Sequence, residues 1–157
     1  MDLLLTIQRD QKIKKKAFID ACIKSVNVIA KENAEILVVG NTTSELFPRE
    51  LTKYTKRVRC GKGGIKVNFL INYSWKKDLE SLSCGDGTEK SLNRDIISND
   101  ISRIDMIIIW GGRRRLSGFL PIQSVYSDFY VIDEYWPDFQ EKQFYDALDW
   151  YQTQDIT

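Results

Sequence analysis

Short apolar runs alternate with amphipathic stretches along the whole chain, and that alternation limits the fold more than any other feature of the sequence. Leu3 to Thr6, Ile36 to Val39, Val67 to Tyr73, Ile104 to Ile109 and Phe129 to Ile132 read as strands. Lys12 to Asn33, Pro48 to Val58, Trp75 to Leu82, Ser117 to Ser127 and Asp138 to Gln152 read as helices. In the first helix Ile13, Ala17, Ala21 and Val28 fall near one face, flanked by Phe18, Cys22 and Ile29. Pro48 suits a first helical turn, where a missing N–H removes no hydrogen bond. Asp138 and Glu141 have the spacing of a capping box. Cys60-Gly61-Lys62-Gly63-Gly64 and Cys84-Gly85-Asp86-Gly87 read as turns. Strands separated by helices predict an α/β fold: a mostly parallel sheet flanked by helices on both faces.

The chain has 157 residues, 43% hydrophobic and 29% charged, which suits one domain over 1–157 with a real core. Lys and Arg total 23 against 22 for Asp and Glu, so no overall field draws the chain to nucleic acid or anionic lipid. Cys22, Cys60 and Cys84 are odd in number, widely spaced and unaccompanied by histidine, which argues for structural thiols in a reducing cytoplasm and against zinc. Leu3-Leu4-Leu5 is too short for a signal-peptide core, so neither export nor a membrane span is expected.

One segment carries chemistry. The apolar run Met106 to Trp110 empties into Gly111-Gly112-Arg113-Arg114-Arg115-Leu116-Ser117. Glycines let backbone approach a ligand, arginine offers a planar fork of donors, and a helix opening at Ser117 adds unpaired N–H groups and positive dipole. The parts suit a phosphate. Three arginines alone read as a solvated loop, but the carboxyl edge of an α/β sheet is where such folds place ligands. Lys12, Lys14, Lys15 and Lys16 read as a solvated helix face. Cys60 to Gly64 lacks the phosphate-loop spacing and precedes a strand. The aromatics from Tyr126 to Tyr151 are spaced for core and subunit interface rather than for stacking on bases.

Read as Arg115-x-Ser117-x-Phe119-Leu120-x-x-Gln123-x-x-Tyr126-x-Asp128-x-Tyr130 and then Trp136-Pro137-Asp138-Phe139, the segment resembles the carboxy-terminal signature of the cis-prenyltransferases, the undecaprenyl diphosphate synthase family. Ile36 to Gly40 with Thr42, and Val67 to Tyr73 with Asp78, fall in the order of that family's middle strands, so the likeness runs from about Leu3 to Tyr151. The resemblance implies a Mg2+-assisted condensation of isopentenyl diphosphate with an allylic diphosphate, giving a polyprenyl diphosphate. It also implies a dimer, a cytoplasmic setting and proximity to a membrane surface.

By that resemblance Arg115 and Ser117 hold the diphosphate, and Asp128 stands where the family has a metal-linked glutamate. Other positions depart from the pattern. Ile109 replaces the first arginine of the site and Trp110 its neighbour; Arg113 replaces an acid; Ser74 and Trp75 replace glycines, with Lys76 and Asp78 nearby. The chain starts where the family's second strand would be, so the usual first strand and its catalytic aspartate loop are not expected in it, and Asp155-Ile156-Thr157 carries no Arg-x-Gly tail. The expectation is therefore a subunit with no catalytic residue of its own, pairing with a catalytic cis-prenyltransferase chain or with itself. The alternatives are an active short enzyme or part of a split one, and a module binding a phosphate ligand or nucleic acid.

Overall fold

The computed structural model describes residues 1–7, 14–40, 42–71, 101, 103–112, 114 and 123–154. Among the described residues six strands form one sheet: β1 (Asp2–Ile7), β2 (Ala34–Gly40), β3 (Val58–Cys60), β4 (Ile65–Ile71), β5 (Met106–Trp110) and β6 (Asp128–Ile132), in the order β3-β2-β4-β1-β5-β6. β1 runs parallel between β4 and β5, with Leu3 beside both Val67 and Met106. β2 lies parallel to β4 and β6 to β5; β3 alone is antiparallel, on β2. The first strand of this chain thus sits inside the sheet with a neighbour on either side.

Alternation along the strands sends Leu3, Leu5, Val67, Phe69, Met106 and Ile108 into one core layer and Leu4, Leu37, Leu70, Ile107 and Ile109 into another. Both layers are buried, which is why the strands read as continuous apolar runs instead of alternating ones. The first layer is covered by α1 (Lys15–Ala30), a 3-10 helix (Arg49–Thr55), a short 3-10 turn (Trp136–Asp138) and α2 (Glu141–Gln152). The second includes Ile101 and Ile104. Trp75 to Leu82, predicted as a helix, lies outside the described residues.

Charged residues line up across four strands at one level of the sheet. Arg59, Glu35, Lys66 and Asp2 are successive partners on β3, β2, β4 and β1, so the row alternates in sign across four strands. The Asp2 N–H extends the connection by donating to Asp105 Oδ2 at 2.8 Å.

The structure departs from the sequence reading in several places. The helix predicted from Pro48 to Val58 is a 3-10 helix ending at Thr55, followed by β3. Thr52 and Thr55 hydroxyls donate to the carbonyls three residues back, at 2.7 and 2.8 Å, which suits the tighter period. In α1 the buried stripe is Phe18, Ala21, Cys22, Ser25, Val26 and Ile29, so the residues read as flanking form its centre. The described end of the Ser117 to Ser127 helix, 123–126, is a turn. The last helix begins at Glu141, because Asp138 is held in the 3-10 turn after Pro137; its box is Gln140 and Gln143, the Gln140 N–H donating to Gln143 Oε1 at 3.0 Å.

Candidate functional site

β5 ends at the carboxyl edge of the sheet in Gly111 and Gly112, with φ of 89° and 68°. Both lie in the left-handed region that a side chain disfavours, so the glycines are dictated by the turn. Their N–H groups do not face a ligand. Gly111 donates to Glu134 O at 2.8 Å and Gly112 to Ile132 O at 3.0 Å, tying the turn to the segment that leaves β6. A Cβ on Gly112 would meet Asp133 Oδ1 at 3.3 Å, so an acidic side chain lies against the turn. Arg114 Nη2 is 3.7 Å from the same Oδ1. Both groups are exposed, so this contact is solvent-screened and weak.

The two residues before the glycines are core. Ile109 is 2% exposed and packs in the second layer. Trp110, 6% exposed, enters the first layer, where its ring meets Trp136 edge-on at 4.3 Å and Phe139 at 5.8 Å. Its indole N–H donates to Gln143 Oε1 at 3.0 Å, the acceptor that also caps α2. Where the resemblance puts an arginine, this chain has the aliphatic Ile109, and beside it a tryptophan locked to a helix terminus.

Arg115 and Ser117 lie outside the described residues, as do Arg113, Ser74, Trp75, Lys76 and Asp78. Asp128 is exposed and opens β6 opposite Met106, with its N–H donating to Asp105 O at 2.9 Å. Trp110 is opposite Ile132, four residues further along, so Asp128 and the glycine turn stand at opposite ends of the strands, separated by about 13 Å of strand rise. Burial first, then the carboxylates of Asp105 and Asp128, raise the Tyr151 hydroxyl above its ordinary pKa. Among the described residues no group of three His, Cys, Asp or Glu is placed to hold a metal ion.

Cys22 is fully buried, and burial pushes its thiol up to about 12, against a smaller lowering by the Trp136 indole N–H. This is a packing residue. Trp136, Phe139 and Phe144 are 2%, 1% and 4% exposed within the single chain, so they form its own core and are not free for an interface. Among the described residues of this third, the exposed large apolar side chains are Val125, Tyr126, Tyr135 and Tyr145. Gln143, Asp133 and Glu134 were not legible as parts of the site from their local sequence, apart from the Gln140 and Gln143 spacing, which is that of a capping box.

A family model described as "Putative undecaprenyl diphosphate synthase" matches residues 8–157. The chain belongs to this family of cis-prenyltransferases. A ditrans,polycis-undecaprenyl-diphosphate synthase of Yersinia pseudotuberculosis is 30% identical over 146 residues, covering 83% of this chain and 58% of that protein. An isoprenyl transferase of Listeria monocytogenes is 34% identical over 140 residues, covering 79% of this chain and 55% of that protein. The chain thus spans a little over half the length of the curated relatives it matches. In fold, this cis-prenyltransferase family member is similar to a probable undecaprenyl diphosphate synthase from Campylobacter jejuni, with TM-score 0.60 and 13% identity over 99% of this chain and 96% of that one. Among the described residues no helix is long and apolar enough to cross a membrane.

Proposed function

We propose that this chain is a subunit of a cis-prenyltransferase making polyprenyl diphosphate from isopentenyl diphosphate and an allylic diphosphate, and that it is non-catalytic on its own. The observation that carries the proposal is the end of β5: Ile109 and Trp110 are buried, and the amides of Gly111 and Gly112 are hydrogen-bonded to Glu134 and Ile132. A departing diphosphate accumulates charge, and arginine clamps with free backbone donors are the groups that stabilise it. One lost charged contact at a buried ligand costs about 2–5 kcal/mol. Here the arginine position is apolar and the two amides are already occupied.

Arg115 and Ser117 are the residues we assign to residual diphosphate binding, and Asp128 to the metal-linked carboxylate. Because Asp128 lies at the far end of β6 from the glycine turn, we place its role in a shared site with another chain. The partner in this reading is a catalytic cis-prenyltransferase chain, or a second copy where none is present; Mg2+ would be bound chiefly through substrate phosphates.

The test is turnover of labelled isopentenyl diphosphate by the purified chain with allylic primers and Mg2+. No product is the expected result. Turnover that Asp128→Ala abolishes would establish an active short enzyme instead.

A further inference from the structure

The near-zero total charge conceals a segregation that the fold makes local. Residues 49–66 carry Arg49, Lys53, Lys56, Arg57, Arg59, Lys62 and Lys66 against a single acid, Glu50, leaving 16 cations against 21 acids on the remainder. In the structure this stretch is continuous: the 3-10 helix, edge strand β3, the glycine turn and the start of β4. It forms one margin of the sheet, since β3 is terminal among the described strands. Arg49, Lys53, Lys56, Arg59 and Lys62 are exposed, and among the described residues none of them is in an ion pair.

We propose that this margin is a docking surface for an anionic phospholipid bilayer. Charged residues on an edge strand also prevent edge-to-edge pairing, but that needs only residues on the strand. Lys53, Lys56 and Lys62 lie outside β3 and exceed that requirement. The kind of charge left free selects the partner. The arginine forks are turned back on the protein: Arg49 donates to Thr42 O at 2.8 Å, Arg57 to Asn68 Oδ1 at 2.7 Å and Arg59 to Lys62 O at 2.6 Å. The cations left outward are lysine ammoniums on flexible stems, Lys53 lying over the ring of its neighbour Tyr54. Mobile point charges suit a laterally diffuse negative surface better than a fixed, bidentate phosphate site. Nucleic acid fits less well. The one aromatic of the stretch, Tyr54, is 3% exposed and offers no stacking face, and its only helix is a seven-residue 3-10 segment rather than one shaped for a major groove.

The surface is separate from the β5 glycine turn, so its failure and that of the subunit reading are distinguishable. The experiment is co-sedimentation of the full chain with vesicles of phosphatidylcholine alone and of phosphatidylcholine with phosphatidylglycerol, repeated at rising salt and with duplex DNA as competitor. Binding should require phosphatidylglycerol and fall with salt. Each surface lysine contributes about fivefold to partitioning, so Lys53→Gln, Lys56→Gln and Lys62→Gln together should lower it on the order of 100-fold. Far-UV circular dichroism should stay unchanged, and if the triple variant fails to fold, Lys62→Gln alone should show about a fivefold loss. The proposal is overturned by binding that ignores phosphatidylglycerol, by variants that partition like the parent, or by DNA that binds more tightly than the vesicles and displaces them.

Discussion

Replacing Trp110 tests the claim that the end of β5 has become core. Trp110→Ala removes a side chain that is 6% exposed, with aromatic contacts to Trp136 and Phe139. Truncations of this kind cost about 3–5 kcal/mol. The loss should stay in that range because no buried acceptor is orphaned: Gln143 Oε1 keeps the Gln140 N–H at 3.0 Å. Trp110→Phe retains most of the ring packing and forfeits the indole hydrogen bond, which costs about 1 kcal/mol. Domains are typically stable by roughly 5–15 kcal/mol, so both variants should fold. The assay is urea unfolding followed by circular dichroism. With a slope of about 2 kcal/mol per molar, the midpoint should fall by about 2 M for alanine and about 0.5 M for phenylalanine. An alanine variant within 1 kcal/mol of the parent would show that the ring is not packed as described. Equal losses for the two variants would mean that the hydrogen bond, not the ring, carries the position.

Three further outcomes follow from the structure. Asn68 is fully buried, its Nδ2 donating to Leu3 O at 2.9 Å and its Oδ1 accepting from Arg57, so Asn68→Leu should cost about 2 kcal/mol in the same unfolding assay. The Cys22 thiol, raised from 9.0 to about 12, favours the folded state fully below pH 9 and loses that contribution as pH rises towards 12. Subtracting Cys22→Ala from the parent should isolate a loss of about 1 kcal/mol at pH 10, and a flat difference would refute the burial argument. Diphosphate should bind only weakly, in the millimolar range that needs about 4 kcal/mol, and Arg115→Ala should abolish it in calorimetry.

The sheet was legible because both of its faces are buried: uninterrupted runs such as Leu3 to Leu5 and Ile107 to Ile109 have no other use in a chain this size. The tighter helix at Arg49–Thr55 and strand β3 were not. Their signal is a pair of threonines bonding backwards and three strand residues, and only pairing with β2 makes the latter a strand. At the site, the sequence marked the paired glycines as a place for backbone to approach a ligand but not the partners of their N–H groups, because Glu134 O and Ile132 O reach the turn only through the parallel pairing of β5 with β6. The basic margin was hidden by summing charge over the chain: its cations lie between 49 and 66, and the fold keeps them on one side of the sheet. Trp136, Phe139 and Phe144 read as interface from their number, yet α1, β5 and α2 converge on them and bury them.

The central claim is that this cis-prenyltransferase chain acts through a partner, and the direct measurement is its co-expression with a catalytic cis-prenyltransferase chain, followed by affinity capture, sedimentation and turnover of labelled isopentenyl diphosphate. The account predicts a one-to-one complex whose activity exceeds that of the catalytic chain alone. A stable monomer that neither binds the catalytic chain nor changes its turnover would contradict it.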